Sequence, residues 1–82
     1  MSTANSQDAS SILTRSFAVT EFIARTGRSV SVAEIGRELD LPKPSAHRIC
    51  KILENMGIIV RDPISKGMMV GPRLSAIALN SM

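Results

Sequence analysis

The sequence predicts a mainly α-helical fold with one small β-hairpin, and three observations predict it. Apolar residues recur at helical spacing in three separate stretches, residues 11–26, 31–39 and 43–56. Helix stop and start signals separate those stretches: Gly27-Arg28, then Ser31 with Glu34, then Gly57. Beyond them, the β-branched run Ile58-Ile59-Val60 is followed by turn formers and by a second apolar run, Met68-Met69-Val70. The chain has 82 residues, enough for one domain. A domain of that size buries roughly 60–65% of its unfolded surface, so its core is thin.

Residues 1–10, MSTANSQDAS, are small and polar and read as a disordered tail; the domain proper is expected over residues 11–71. Its first helix, 11–26, carries two apolar stripes. Ile12, Leu13, Phe17, Ile23 and Ala24 form one; Ala18, Val19 and Phe22, flanked by Arg15, form the other. Together they span more arc than one core needs. Either the helix is wedged between two elements of its own domain, or it offers a self-association face. Glu21 and Arg25 stand as an i,i+4 pair in the favourable orientation. Gly27 ends the helix, and a short extended piece is expected at Ser29-Val30.

The second helix, 31–39, opens on a capping box of Ser31 and Glu34, with Val30 and Ile35 at the staple positions around it. Gly36 inside this helix marks a close crossing by another helix. Asp40-Leu41-Pro42 reads as a tight turn, with Asp40 tolerant of left-handed backbone angles and Leu41 an apolar plug. The third helix, 43–56, takes Pro44 in its first turn. Ala46, Ile49, Leu53 and Met56, joined by Ile52, make its apolar stripe; Ser45, His47, Arg48, Lys51 and Asn55 lie on the other face. Asp62-Pro63 and Ser65-Lys66-Gly67 turn the hairpin of residues 58–70. Pro72 opens a last helix through Leu74, Ile77, Ala78 and Leu79.

Composition closes off several functions. One Cys and one His do not make a structural zinc site, and neither a metal nor a cofactor is expected. Cys50 has no partner for an intrachain disulfide and is expected to be a packed thiol rather than a redox sensor. With no Trp or Tyr and only Phe17 and Phe22, binding of single-stranded nucleic acid by stacking lacks its usual equipment. No catalytic residue is expected: Ser45 and His47, two positions apart on a helix, point about 200° from each other. No apolar run approaches the ~20 residues of a membrane span. Charge is the positive clue. The formal net charge is +3 and the pI about 9.8. In residues 11–40 four arginines are matched by four acids, so the excess sits wholly after residue 40. A basic patch of this kind suggests a phosphate-bearing partner.

Helix, capped helix, tight turn, basic helix, hairpin, helix is the order of a winged helix-turn-helix: a three-helix core, a two-stranded wing and a C-terminal helix. An α-helix fits the major groove of B-DNA, where the N-terminal residues of the recognition helix reach base edges. Lys43, Ser45, His47 and Arg48 occupy that part of the third helix. Arg48 suits a bidentate guanine or phosphate contact. Lys51, further along, is either a phosphate contact or solvated, and His47 either touches DNA or is solvated. Lys66, on the hairpin tip, suits the backbone or minor groove.

L-P-K-P-S-A-H-R-I (41–49), L-E-N-M-G (53–57), S-V-A-E-I-G (31–36), R-D-P (61–63) and V-G-P-R-L (70–74) together carry a resemblance. From about residue 12 to residue 79, the chain resembles the DNA-binding domain of IclR-type bacterial transcription regulators. The resemblance implies a bacterial transcription regulator that binds palindromic double-stranded operators as a homodimer, and a cytoplasmic, nucleoid-associated location is expected with it. It also implies a linker helix, begun here in residues 72–82, leading to a further domain for a small-molecule effector that this sequence lacks. The candidate DNA-contacting residues are Ser31, Lys43, Pro44, Ser45, His47, Arg48, Lys51, Arg61 and Lys66. The candidate dimer interface is Arg15, Ala18, Val19, Phe22, Leu74 and Ile77. Arg73 resembles a family position near the linker, either a phosphate contact or a salt bridge within the domain.

Four positions depart from the family pattern. Pro44 stands where a small polar residue is usual, Asp40 replaces a frequent Gly, and Thr20 replaces an aliphatic. Met68 stands where an aromatic is common, so looser packing of the wing is expected. The rival reading is a winged-helix protein-interaction module, since fold alone does not decide function.

Overall fold

The computed structural model describes the backbone of residues 3–80 and the side chains of residues 11–80. Its elements run α1 (Thr3–Thr26), α2 (Val32–Glu38), α3 (Lys43–Asn55), β1 (Ile59–Arg61), β2 (Met68–Val70) and α4 (Pro72–Asn80). The order matches the winged helix-turn-helix expected from the sequence. α1 begins at Thr3, where the sequence reading began it at residue 11; residues 1 and 2 of the expected tail lie outside the described residues. At its other end the Thr26 hydroxyl donates to the carbonyls of Phe22 and Ile23, and Gly27 turns the chain away at φ +67°.

The core seam of α1 is Val19 and Ile23, at 0% and 1% exposure, with Phe22 packed beside them. Ile12, Leu13 and Phe17 are 45%, 69% and 66% exposed. Val19 is therefore a core residue and not part of an outer association face. The reason is that α1 packs on α3 and β2, and the seam one turn apart at residues 19 and 23 is what they cover. The ion pairs among the described residues are Arg28–Glu34 and Arg61–Glu54, so Glu21 and Arg25 do not form the expected pair. An exposed pair of this kind gains too little to hold two long side chains in one geometry.

α2 starts as its sequence demands. The Ser31 Oγ accepts the Glu34 N–H at 3.0 Å, and the staple residues Val30 and Ile35 are both buried. Only half of the capping box forms. The Glu34 carboxylate turns instead to Arg28, taking Nη2 at 2.7 Å and Nη1 at 3.2 Å. The tight turn is held by Leu41 N–H donating to the Gly36 carbonyl at 2.8 Å, with Asp40 at φ +54°. A Cβ on Gly36 would stand 3.2 Å from the Leu41 carbonyl oxygen and 3.6 Å from the Ala46 Cβ. This is the close crossing by α3 that the glycine foretold.

α3 buries Ala46, Ile49, Cys50 and Leu53. Ile52 and Met56, expected on the stripe, are exposed, and Cys50 takes their place. At 100° per residue Cys50 lies about 40° from Ala46, whereas Ile52 lies about 120° away. The hairpin pairs Ile59 with Val70, Val60 with Met69, and Arg61 with Met68. Val30 joins as a third strand position: its N–H donates to the Met68 carbonyl at 3.0 Å, and Met68 returns the bond at 2.6 Å. Met68 is fully buried in the core, so the looser packing expected of a Met at that position does not occur. Gly71 N–H then donates to the Ile58 carbonyl at 2.8 Å and brings α4 back beside the end of α3.

Candidate nucleic-acid interface

The core fixes which side of α3 faces out. Because Ala46, Ile49, Cys50 and Leu53 point inward, Lys43, Pro44, His47, Arg48 and Lys51 are left exposed and Ser45 half-buried at the rim. Among the described residues no hydrogen bond or ion pair engages the side chains of Lys43, His47, Arg48 or Lys51. Four donor-bearing side chains thus stand on one helix face with their polar heads uncommitted. Pro42 at the N-cap offers no side-chain cap, so the first N–H groups of α3 also lack an internal side-chain partner.

Arg15 lies near this face. It lines one shallow cleft with Ser45 and Arg48, between α1 and α3, and another with Asp40 and Leu41. Assigned from the sequence to an association face, it is placed by the fold beside the first turns of α3. No local signal ties residue 15 to residue 45, and only the packing of α1 brings them together. Ser31 is exposed, with its Oγ already accepting the α2 cap bond. Its hydroxyl proton is still available to an acceptor.

The wing is closed by its own polar groups. Asp62 N–H donates to the Gly67 carbonyl at 2.7 Å, and Lys66 N–H to the Asp62 carbonyl at 2.8 Å. The Asp62 Oδ2 accepts the Ser65 N–H at 2.8 Å, and the Ser65 hydroxyl, followed by this N–H, holds the carboxyl below its ordinary range. The Ser65 and Ser29 hydroxyls meet at 2.7 Å. That anchor joins residues 36 apart in sequence and was not legible from it. Lys66, at the tip, is exposed at φ +66°. Arg61, expected to contact DNA, is turned to the protein: its Nη1 donates to the Lys66 carbonyl at 2.9 Å, and its Nη2 lies 3.9 Å from Glu54 Oε1. Arg73 donates to the Met56 carbonyl at 3.3 Å, closing the C-terminal end of α3 rather than forming a salt bridge.

The remaining expected interface residues are scattered. Ala18 and Phe22 are half-buried, and Phe22 packs on the core. On α4, which buries no residue, Leu74 is half-buried and Ile77 exposed. The exposed apolar face of α1 is Leu13 and Phe17 instead. Cys50 is enclosed by the core, and burial pushes its thiol up to about 11. No group of three metal-ligating side chains occurs among the described residues, and no helix there is long and apolar enough to cross a membrane.

Residues 12–63 match the IclR helix-turn-helix domain. Among solved structures, an IclR homolog from Microbacterium sp. strain HM58-2 is 30% identical with a TM-score of 0.75, over 84% of this chain and 29% of that one. The Agobacterium tumefaciens repressor BlcR is 25% identical with a TM-score of 0.78, over 93% of this chain and 30% of that one. An IclR homolog complexed with 4-hydroxybenzoate, from Microbacterium hydrocarbonoxydans, is 30% identical with a TM-score of 0.76, over 87% and 29%. This chain spans less than a third of the length of these relatives. No curated protein matches the sequence. The match over residues 12–63, the tight turn into a basic α3 and the paired wing agree: the chain belongs to the IclR helix-turn-helix family of DNA-binding transcription-regulator domains.

Proposed function

We propose that the domain binds double-stranded DNA sequence-specifically, with α3 in the major groove and the wing on the backbone or minor groove. The observation that carries this reading is the outer face of α3. Lys43, His47, Arg48 and Lys51 are exposed there on the side away from the buried stripe, with their heads free of partners among the described residues. Arg48 has the planar fork that fits guanine O6 and N7, and Lys43 and Lys51 are point charges suited to phosphates. Arg15, beside Ser45 and Arg48, adds a cation at the flank.

One such domain would read a half-site, so the reading extends to a homodimer on a palindromic operator, two recognition helices about one helical turn apart. The exposed α1 face of Leu13 and Phe17, with Ile77 of α4, supplies apolar surface for the second copy. A small-molecule effector would act through a region outside this domain. The test is a salt titration of binding to a pool of random duplex DNA, followed by sequencing of the retained fraction. An enriched inverted repeat and a slope of roughly −0.9 per neutralised phosphate are expected. Absence of binding at low salt would overturn the reading and favour a protein-interaction module.

A further inference from the structure

The two cations of the wing are built differently. Lys66 is exposed, and its backbone is gripped from both sides: its N–H by the Asp62 carbonyl at 2.8 Å, its carbonyl by Arg61 Nη1 at 2.9 Å. It is held at φ +66°, a left-handed conformation that a lysine adopts only at a cost and so keeps only when the surroundings hold it. Arg61 does much of that holding. Its other terminal nitrogen faces Glu54 on α3 at 3.9 Å, and the neighbouring carboxylate offsets its charge. One guanidinium therefore spans from the tip of the wing to the second half of the recognition helix.

We infer that Arg61 is a positioning residue, which fixes the wing tip relative to α3 so that Lys66 is the wing cation that meets a phosphate. This inference rests on the proposed DNA binding. It reassigns Arg61 from contact to brace. A direct phosphate contact by Arg61 enters the salt slope through its charge, which lysine keeps, whereas a brace needs the fork that bonds a carbonyl and faces a carboxylate at once. Lysine keeps the charge and lacks the fork.

The test uses the full chain and a random-sequence duplex, with affinity followed across a salt series for the wild type, Arg61→Lys, Lys66→Asn and the double variant. Asn tolerates the left-handed backbone at position 66, so the substitution removes the cation without adding strain. Lys66→Asn is expected to shallow the salt slope by about one. Arg61→Lys is expected to shallow it by a similar amount although its charge is unchanged, and the double variant to match Lys66→Asn alone. An Arg61→Lys protein with the wild-type slope would overturn the inference. So would a double variant losing twice what either single loses, or an unaltered slope for Lys66→Asn.

A fourth variant, Glu54→Ala, leaves both cations in place. Removing an acid from a DNA-binding face tightens binding by charge alone; loss of the brace predicts no gain in affinity, and a gain counts against it. If the wild type itself does not bind, the DNA reading falls and takes this inference with it. If Arg48→Ala abolishes specific binding while the wing variants behave like wild type, only the inference falls.

Discussion

Arg48 and Cys50 sit two residues apart on α3 and face opposite ways, one to solvent and one to the core. Arg48→Ala is expected to weaken specific binding by about 1–3 kcal/mol if the guanidinium reads a guanine. Competition between the selected operator and random duplex checks it, because a phosphate contact would be lost equally on both. Cys50 is expected to resist alkylation in the folded protein at neutral pH and to react once denaturant is added. Its thiol is raised from 9.0 to about 11 by burial, so the folded state holds the proton more tightly than the unfolded chain. Any stability from this source is complete below pH 9.0 and is lost as pH rises toward about 11. A thiol-reagent titration against pH reads both.

The elements were legible wherever the cue was local. Gly27, the Ser31 cap, the positive φ of Asp40 and Pro72 opening α4 each follow from one residue's own backbone chemistry. The same local cues placed Lys43, His47, Arg48 and Lys51 on the outer face of α3. What failed was the choice between faces. Two apolar stripes on α1 have equal claims until α3 and β2 are in place, and Ile52 competes with Cys50 on α3 for the same reason. The partners of Arg61, Glu34 and Arg73 were also hidden, since each reaches a group on another element or loop. At Gly71 a Cβ would collide with the Gly57 carbonyl oxygen, a backbone atom that cannot swing aside. Gly71→Ala is therefore expected to destabilise the domain by about 1–3 kcal/mol in urea unfolding, with α4 displaced from the end of α3. Ser31→Ala is expected to cost about 1 kcal/mol through the lost α2 cap, measured the same way.

At the scale of the whole molecule, the thin core leaves apolar surface uncovered. Leu13 and Phe17 are both about two-thirds exposed on one side of α1, at 69% and 66%. Replacing both with Ser is expected to leave the melting temperature nearly unchanged, since neither is in the core. If this face joins two copies as proposed, the same change is expected to lower self-association measured by sedimentation and to weaken operator binding more than binding to a half-site. Retained self-association would place the dimer contact on another surface, such as α4.

The reciprocal bonds between Val30 and Met68 have one more consequence. Val30 immediately precedes the cap of α2, so the wing is stitched to the entrance of the helix-turn-helix at its base, while Ser29 and Ser65 stitch it near the tip. On the proposed reading, a domain framed in this way would act as a template and not as a clamp. If α3 and the wing meet DNA as proposed, these bonds fix the span between them in the free protein, and fitting falls to the duplex. Base steps that narrow or kink cheaply would then be favoured even where no side chain touches them.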